Sequence, residues 1–219
     1  LRKDITLFKE DLSHFLSHIA IAEQNKEHEE NFKTYLAEFL KKNLFQEHLI
    51  NTKERIDLAI YSGKDAKSHI NVLIEVKRPS NVNEFLNEKS INKKALHELL
   101  LYYLKERVDK KNNNIKHLIA TNGYQWYLFK GEDFYTHFYK NTALRKEYEA
   151  FRDGEKDSSK NELFYNEIAK KYIEEVGEDL DYVYFDVKEY QDLLNPDAET
   201  ESKSVTKTKI TKENEFISL

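Results

Sequence analysis

The chain has 219 residues, 39% apolar and 34% charged, and its 35 Lys and Arg against 40 Asp and Glu give a formal net charge of −5. That fits one globular domain with a sizeable core, and no apolar run approaches the ~20 residues of a membrane-spanning helix. The acidic balance excludes a protein that holds nucleic acid by bulk charge alone, and zero cysteines exclude disulfides and cysteine-ligated zinc. No signal peptide opens the chain, and a cytoplasmic setting is expected. Methionine is also absent, so the chain is expected to be either a piece of a longer protein or a sequence from which residues are missing.

Asp4 to Gln24 reads as a helix, because Leu7, Phe8, Leu12, Phe15, Leu16 and Ile19 recur at helical spacing. His14 and His18 lie one turn apart, a metal-ligand spacing, but with no third ligand apparent they read as helix surface. Glu27 to Lys42 reads as a second helix, with Phe32, Leu36, Phe39 and Leu40 as its apolar face. Glu29 and Glu30 stand in its first turn, where acids suit the helix dipole.

The next two runs are strands. Arg55 to Tyr61 is rich in β-branched and aromatic residues and stops at Ser62-Gly63; Asn71 to Lys77 is apolar and stops before Pro79. Residues i and i+2 share a face of a strand. Glu75 and Lys77 therefore share one face, and Val76 points the other way into apolar packing. A hairpin of the two strands brings Asp57, near the start of the first, within reach of Glu75. Two adjacent carboxylates repel unless a cation or proton joins them. Mg²⁺ accepts few protein carboxylates and keeps its waters and substrate phosphate oxygens. Beside it a lysine can orient or deprotonate an attacking water and offset phosphate charge. In this reading Lys77 serves chemistry and contributes nothing to folding.

Residues 80–90 read as a polar loop, and Ile91 to Lys110 as a strong helix in which Glu98 and Tyr102 lie one turn apart. Ile115 to Thr121 and Tyr124 to Lys130 read as strands joined by Asn122-Gly123, a type I′ hairpin signal that needs positive φ at both positions. Trp126, at an alternating strand position, reads as core. Ala143 to Arg152 and Lys160 to Val176 read as helices, Asp181 to Val187 as a last strand and Lys188 to Leu194 as a short helix. Residues 196–219, after the boundary marked by Pro196, are polar and read as a linker or disordered tail.

Asp57, seventeen residues and then Glu75-Val76-Lys77 resembles the PD-(D/E)XK nuclease motif. With it, in order, come the helix ALHELLLYYLKER and the hairpin TNGYQWYLF. These four elements together resemble the N-terminal nuclease domain of a bifunctional type IIG restriction–modification enzyme, or of the similar single-chain translocating type. The resemblance implies an α/β fold with a mixed sheet flanked by helices over residues 1–195. It implies Mg²⁺-dependent cleavage of double-stranded DNA, with Mn²⁺ as a substitute. Asp57, Glu75 and Lys77 are then catalytic, and Asp57, Glu75 and Val76 hold the metal. One of Glu29 and Glu30 is the helical glutamate that such nucleases point into the site. Tyr102 matches the tyrosine of a QxxxY helix, with Glu98 where that pattern has Gln. Methyltransferase and target-recognition domains are expected elsewhere in the full protein, and dimerisation would serve double-strand cleavage. The alternatives are a nuclease-like DNA-binding or docking module without catalysis, and a hydrolase of another phosphate ester.

Overall fold

The computed structural model describes residues 2–53, 56–154, 161–190 and 194. Arg55, Lys160 and the whole segment from 195 onward, including the expected tail, lie outside the described residues.

One six-stranded mixed sheet in the order β1-β2-β3-β4-β5-β6 is flanked by helices on both faces. The strands are β1 (Ile50–Lys53), β2 (Ile56–Tyr61), β3 (Ile70–Val76), β4 (His117–Thr121), β5 (Gln125–Lys130) and β6 (Tyr182–Asp186). Among the described residues only β3 and β4 pair in parallel; every other neighbouring pair is antiparallel. A parallel pair needs a crossover, and helix α3 (Lys94–Leu104) provides it. β1 has no counterpart in the sequence reading, because Ile50 is its one apolar residue; pairing with β2 makes it a strand, not local pattern.

Helices α1 (Arg2–Gln24) and α2 (Glu29–Asn43) cover one face. Leu12, Phe15, Leu16 and Ile19 of α1 and the four predicted apolar positions of α2 pack with Leu58, Ile60, Val72, Ile74 and Val76. Val76 points into this layer, as its place in the strand requires. Leu7 does not join it and is 53% exposed, since it falls beyond the side of α1 that meets α2. Trp126 is buried in the same layer and stacks on Phe185, a core residue as expected.

The other face is covered by α3, by α4 (Gly131–Phe134), by α5 (Thr142–Arg152) and by α6 (Lys170–Val176). Among the described residues three π-helical segments continue or precede them: Lys105–Asp109, Tyr135–Tyr139 and Phe164–Ala169. The segment from Gly131 to Tyr139, unassigned from sequence, is helical because Phe134 and Phe138, one turn apart, both bury fully. The loop after β3 is less polar in effect than in composition, since Phe85 and Leu86 tuck under α3. The short helix expected at 188–194 is a 3₁₀ turn over Val187–Tyr190, beyond which only Leu194 is described. Among the described residues no helix is long and apolar enough to cross a membrane.

The β4–β5 turn departs from the type I′ expectation, because only Gly123 has positive φ (88°). Asn122 stays in ordinary backbone and uses its side chain instead: Oδ1 accepts from the N–H groups of Tyr124 (3.1 Å) and Gln125 (2.8 Å). Self-capping of this kind is what suits asparagine to turns. At Gly131 the demand is spatial. A Cβ there would lie 2.2 Å from the Ile115 carbonyl oxygen, and the Gly131 N–H donates to the Lys116 carbonyl at 2.7 Å. Backbone cannot yield as a side chain does. Gly131→Ala should therefore destabilise the domain by about 3 kcal/mol, the upper part of the usual overpacking cost, read as a lower midpoint in urea with unchanged slope. A melt matching the parent would show that α4 can lift from the sheet freely.

Candidate active site

The β2–β3 ladder pairs Leu58 with Ile74. One step further along both strands, Asp57 and Glu75 come opposite each other. Strand alternation sends Asp57, Glu75 and Lys77 to the α3 face, while Leu58, Ile74 and Val76 face α1 and α2. All three polar side chains are buried, Glu75 to 1% exposure. The Val76 N–H donates to Asp57 Oδ2 at 2.8 Å, which fixes the aspartate against the neighbouring strand.

α3 brings Glu98 and Tyr102 to the same point. Lys77 Nζ lies 2.5 Å from Glu75 Oε1 and 2.6 Å from Glu98 Oε2. Glu98 is thus a buried partner of the lysine and not an exposed helix acid. The expectation that Lys77 has no part in folding is overturned: its ammonium is the counter-charge to two buried carboxylates. Burial works against that ammonium, but Glu75, Glu98 and Glu29 outweigh it and hold its pKa above the ordinary lysine value.

Of the two first-turn glutamates, Glu29 reaches the site. Its Oε2 accepts from the Arg78 N–H at 3.3 Å, and burial raises its pKa, with Lys77 partly opposing. Glu30 points outward, 72% exposed, and pairs with Lys33 at 2.6 Å. Lys33 itself was not singled out from sequence, yet its ammonium sits 2.7 Å from Asp57 Oδ1. Burial works against the Lys33 charge, but hydrogen bonds to Asp57 and Glu30 prevail and raise its pKa. One signal was available: Lys33 lies one turn after Glu29, on the same side of α2. Tyr165, from the π-helical segment before α6, is a second unforeseen neighbour. Its phenol is raised by burial first and then by the charges of Glu98 and Glu75. Tyr102 is raised by burial and by Glu75 and Glu98.

Glu29, Asp57, Glu75 and Glu98 face two ammonium groups, so the cluster carries excess negative charge. Glu75 registers it: burial, then Asp57 and Glu98, raise its pKa well above the usual carboxylate range. Its Oε2 is buried without a hydrogen-bond partner. Among the described residues no three Asp, Glu, His or Cys side chains form a ready-made ion cage. The donors present are oxygen-only, two acids with one orphaned atom, and that suits Mg²⁺, which fills its remaining positions with water and substrate oxygens.

Fold and cluster together define an α/β domain with a buried acid–lysine site at the ends of its central strands. The chain belongs to the family described as Domain of unknown function (DUF7149), whose model matches residues 1–212. Comparisons with curated proteins and with solved structures return no significant match.

Removing the lysine leaves Glu75 and Glu98 buried without a counter-ion. Lys77→Ala should cost roughly 3–5 kcal/mol at neutral pH, as breaking a buried pair does. Glu75 already has a folded-state pKa above its unfolded one. Its contribution to stability is therefore present below the usual carboxylate range and lost as pH rises through the raised value. In the variant that pKa rises further, so the deficit at pH 8 should shrink at pH 5. Urea melts at the two pH values check this; a pH-independent deficit below about 1 kcal/mol would mean that the pair behaves as an exposed one.

Proposed function

We propose that this domain is a Mg²⁺-dependent endonuclease of the PD-(D/E)XK type that hydrolyses phosphodiester bonds of double-stranded DNA. We assign it as the cleavage module of a bifunctional restriction–modification enzyme. The observation that carries the reading is the convergence of Asp57, Glu75 and Lys77 on one face at adjacent strand ends. Glu29 from α2 and Glu98 and Tyr102 from α3 close on the same point. A mixed sheet with flanking helices agrees with the fold the motif implies.

Asp57, Glu75 and the Val76 main chain would hold the ion. When bound, Mg²⁺ supplies Lewis-acid polarisation of a phosphate oxygen and a more acidic water. The chain's own residues do the rest. Lys77, held as an ammonium by its carboxylate partners, donates hydrogen bonds and offsets charge on the phosphate; this favours an orienting role over proton abstraction. Glu98 fixes the ammonium in place, and the Val76 N–H holds Asp57. Duplex selection and sequence choice fall to the further domains expected in the full protein, because a domain of net charge −5 gains little from non-specific phosphate attraction.

Plasmid nicking with Mg²⁺ or Mn²⁺ tests the reading. Asp57→Ala and Glu75→Ala should abolish cleavage, and Lys77→Arg, which keeps the buried charge but not the single ammonium donor, should lose about a hundredfold or more. Parent-rate cutting by any of the three would refute the assignment. A module that binds without cutting is the second reading, favoured by the ammonium groups that already occupy Asp57 and Glu75. It predicts no metal-dependent nicking by the folded parent.

A further inference from the structure

A second cluster lies in the seam between α1 and α2, separate from the Asp57–Glu75 site. His14 and His18 turn the same ring nitrogen toward each other, Nε2 to Nε2 at 3.2 Å, with ring centroids 4.4 Å apart at 76°. Tyr35 of α2 lies against His18, centroids 5.0 Å apart, and its hydroxyl donates to Glu27 at 3.2 Å, which steadies the ring that steadies the imidazole. The cleft lined by these side chains has a volume of about 200 Å³ and also takes in Asp11 and Glu38. Asp11 is held through Oδ1 by Lys42 at 2.6 Å, while its Oδ2 is buried without a hydrogen-bond partner.

The separation of the two nitrogens is the informative quantity. Two imidazole nitrogens bound at about 2.0–2.1 Å to one tetrahedral ion are about 3.3 Å apart, from the tetrahedral angle alone. The Nε2 atoms already stand close to that spacing, so the separation a two-nitrogen chelate needs is present before any ion enters. While they bond to each other, one Nε2 carries the proton. Moving it to Nδ1 frees both lone pairs with no change in net protonation. Among the described residues no third acidic, histidine or cysteine side chain joins the pair as a ligand. Water must fill the other positions, which makes the site an exchangeable one.

We propose that His14 and His18 form a two-nitrogen chelate for a transition-metal dication of the Zn²⁺, Ni²⁺ or Cu²⁺ class. Imidazole pairs select these ions over Mg²⁺ and Ca²⁺, which take oxygen ligands, and affinity follows Cu²⁺ above Zn²⁺ and Ni²⁺. The site is independent of the proposed nuclease chemistry and would stand if that reading failed.

Calorimetric titration of the tag-free chain with ZnCl₂, NiCl₂ and CuSO₄, beside His14→Gln, His18→Gln and Asp57→Ala, tests it. At least one ion per chain should bind the parent, and one should still bind Asp57→Ala, which lacks the other proposed cation site. Each histidine variant should lose at least roughly tenfold in affinity, the scale of losing a metal-site interaction. Electron paramagnetic resonance of the Cu²⁺ form should show two imidazole nitrogens in the parent and one or none in either variant. Melts in EDTA should show both variants folded, since His14 is exposed and His18 half-buried. The proposal is overturned if either histidine variant keeps parent affinity, if Asp57→Ala removes the ion, or if none of the three ions binds the parent.

Discussion

A charged ammonium sealed between strand and helix is the constraint on which the central part of this structure depends. Lys77 leaves the end of β3 pointing away from the α1–α2 layer, and both of its partners are buried with it. A lone buried charge is prohibitive, and a paired one is tolerated only where geometry is good and the leftover polar atoms are satisfied. β3, the crossover helix and the β2–β3 register are therefore tied together. Slip β3 by one residue against β2 and Glu75 and Lys77 turn together into the apolar layer of Phe32 and Leu36, away from Asp57, while Ile74 and Val76 turn toward α3. The same interaction that narrows the register also gathers the groups a phosphodiesterase would need.

The cluster is balanced against itself. Each buried acid has a claim on an ammonium, Glu75 and Glu98 on Lys77, Asp57 on Lys33. Yet Glu75 Oε2 is left without a hydrogen-bond partner, and Glu75, pushed up by burial and by Asp57 and Glu98, holds protons more tightly than an ordinary glutamate. A fold selected for stability alone would do as well with apolar side chains of similar volume at these positions. Charge buried at such cost, with titration perturbed to match, is what makes the strand ends a candidate for chemistry and not for packing alone.

Much of this was legible in the sequence because the informative patterns are local. Period-two alternation placed Glu75 and Lys77 opposite Val76, and helical periodicity found α1, α2, α3 and α5. What escaped has a common character. β1 is a strand only because β2 pairs with it. The helix beginning at Gly131 is marked by two phenylalanines, too short a signal to outweigh the turn chemistry before it. Phe85 and Leu86 bury from within a polar stretch. Lys33 left one trace, its place a turn after Glu29, whereas Tyr165 enters the site from an element far off in the chain, and nothing in its neighbourhood fixes the angle at which that element crosses the sheet. Asn122 misled in a different way. Its dipeptide suggested positive φ, but a side-chain oxygen that accepts two N–H groups satisfies the turn without it.

The wide helical turns carry a consequence of another kind. Each π-helical segment accommodates more residues per turn than the α-helix around it. Past each one, the stripe of residues facing the sheet is rotated relative to an uninterrupted helix. In one of them Phe164, Tyr165, Ile168 and Ala169 form a buried front against the core beneath α3. Such a front can be gained or lost by inserting or removing a single residue, with the flanking contacts intact. Length differences among members of this family should then appear as one-residue gaps inside helices, where alignments ordinarily forbid them, and not only in loops.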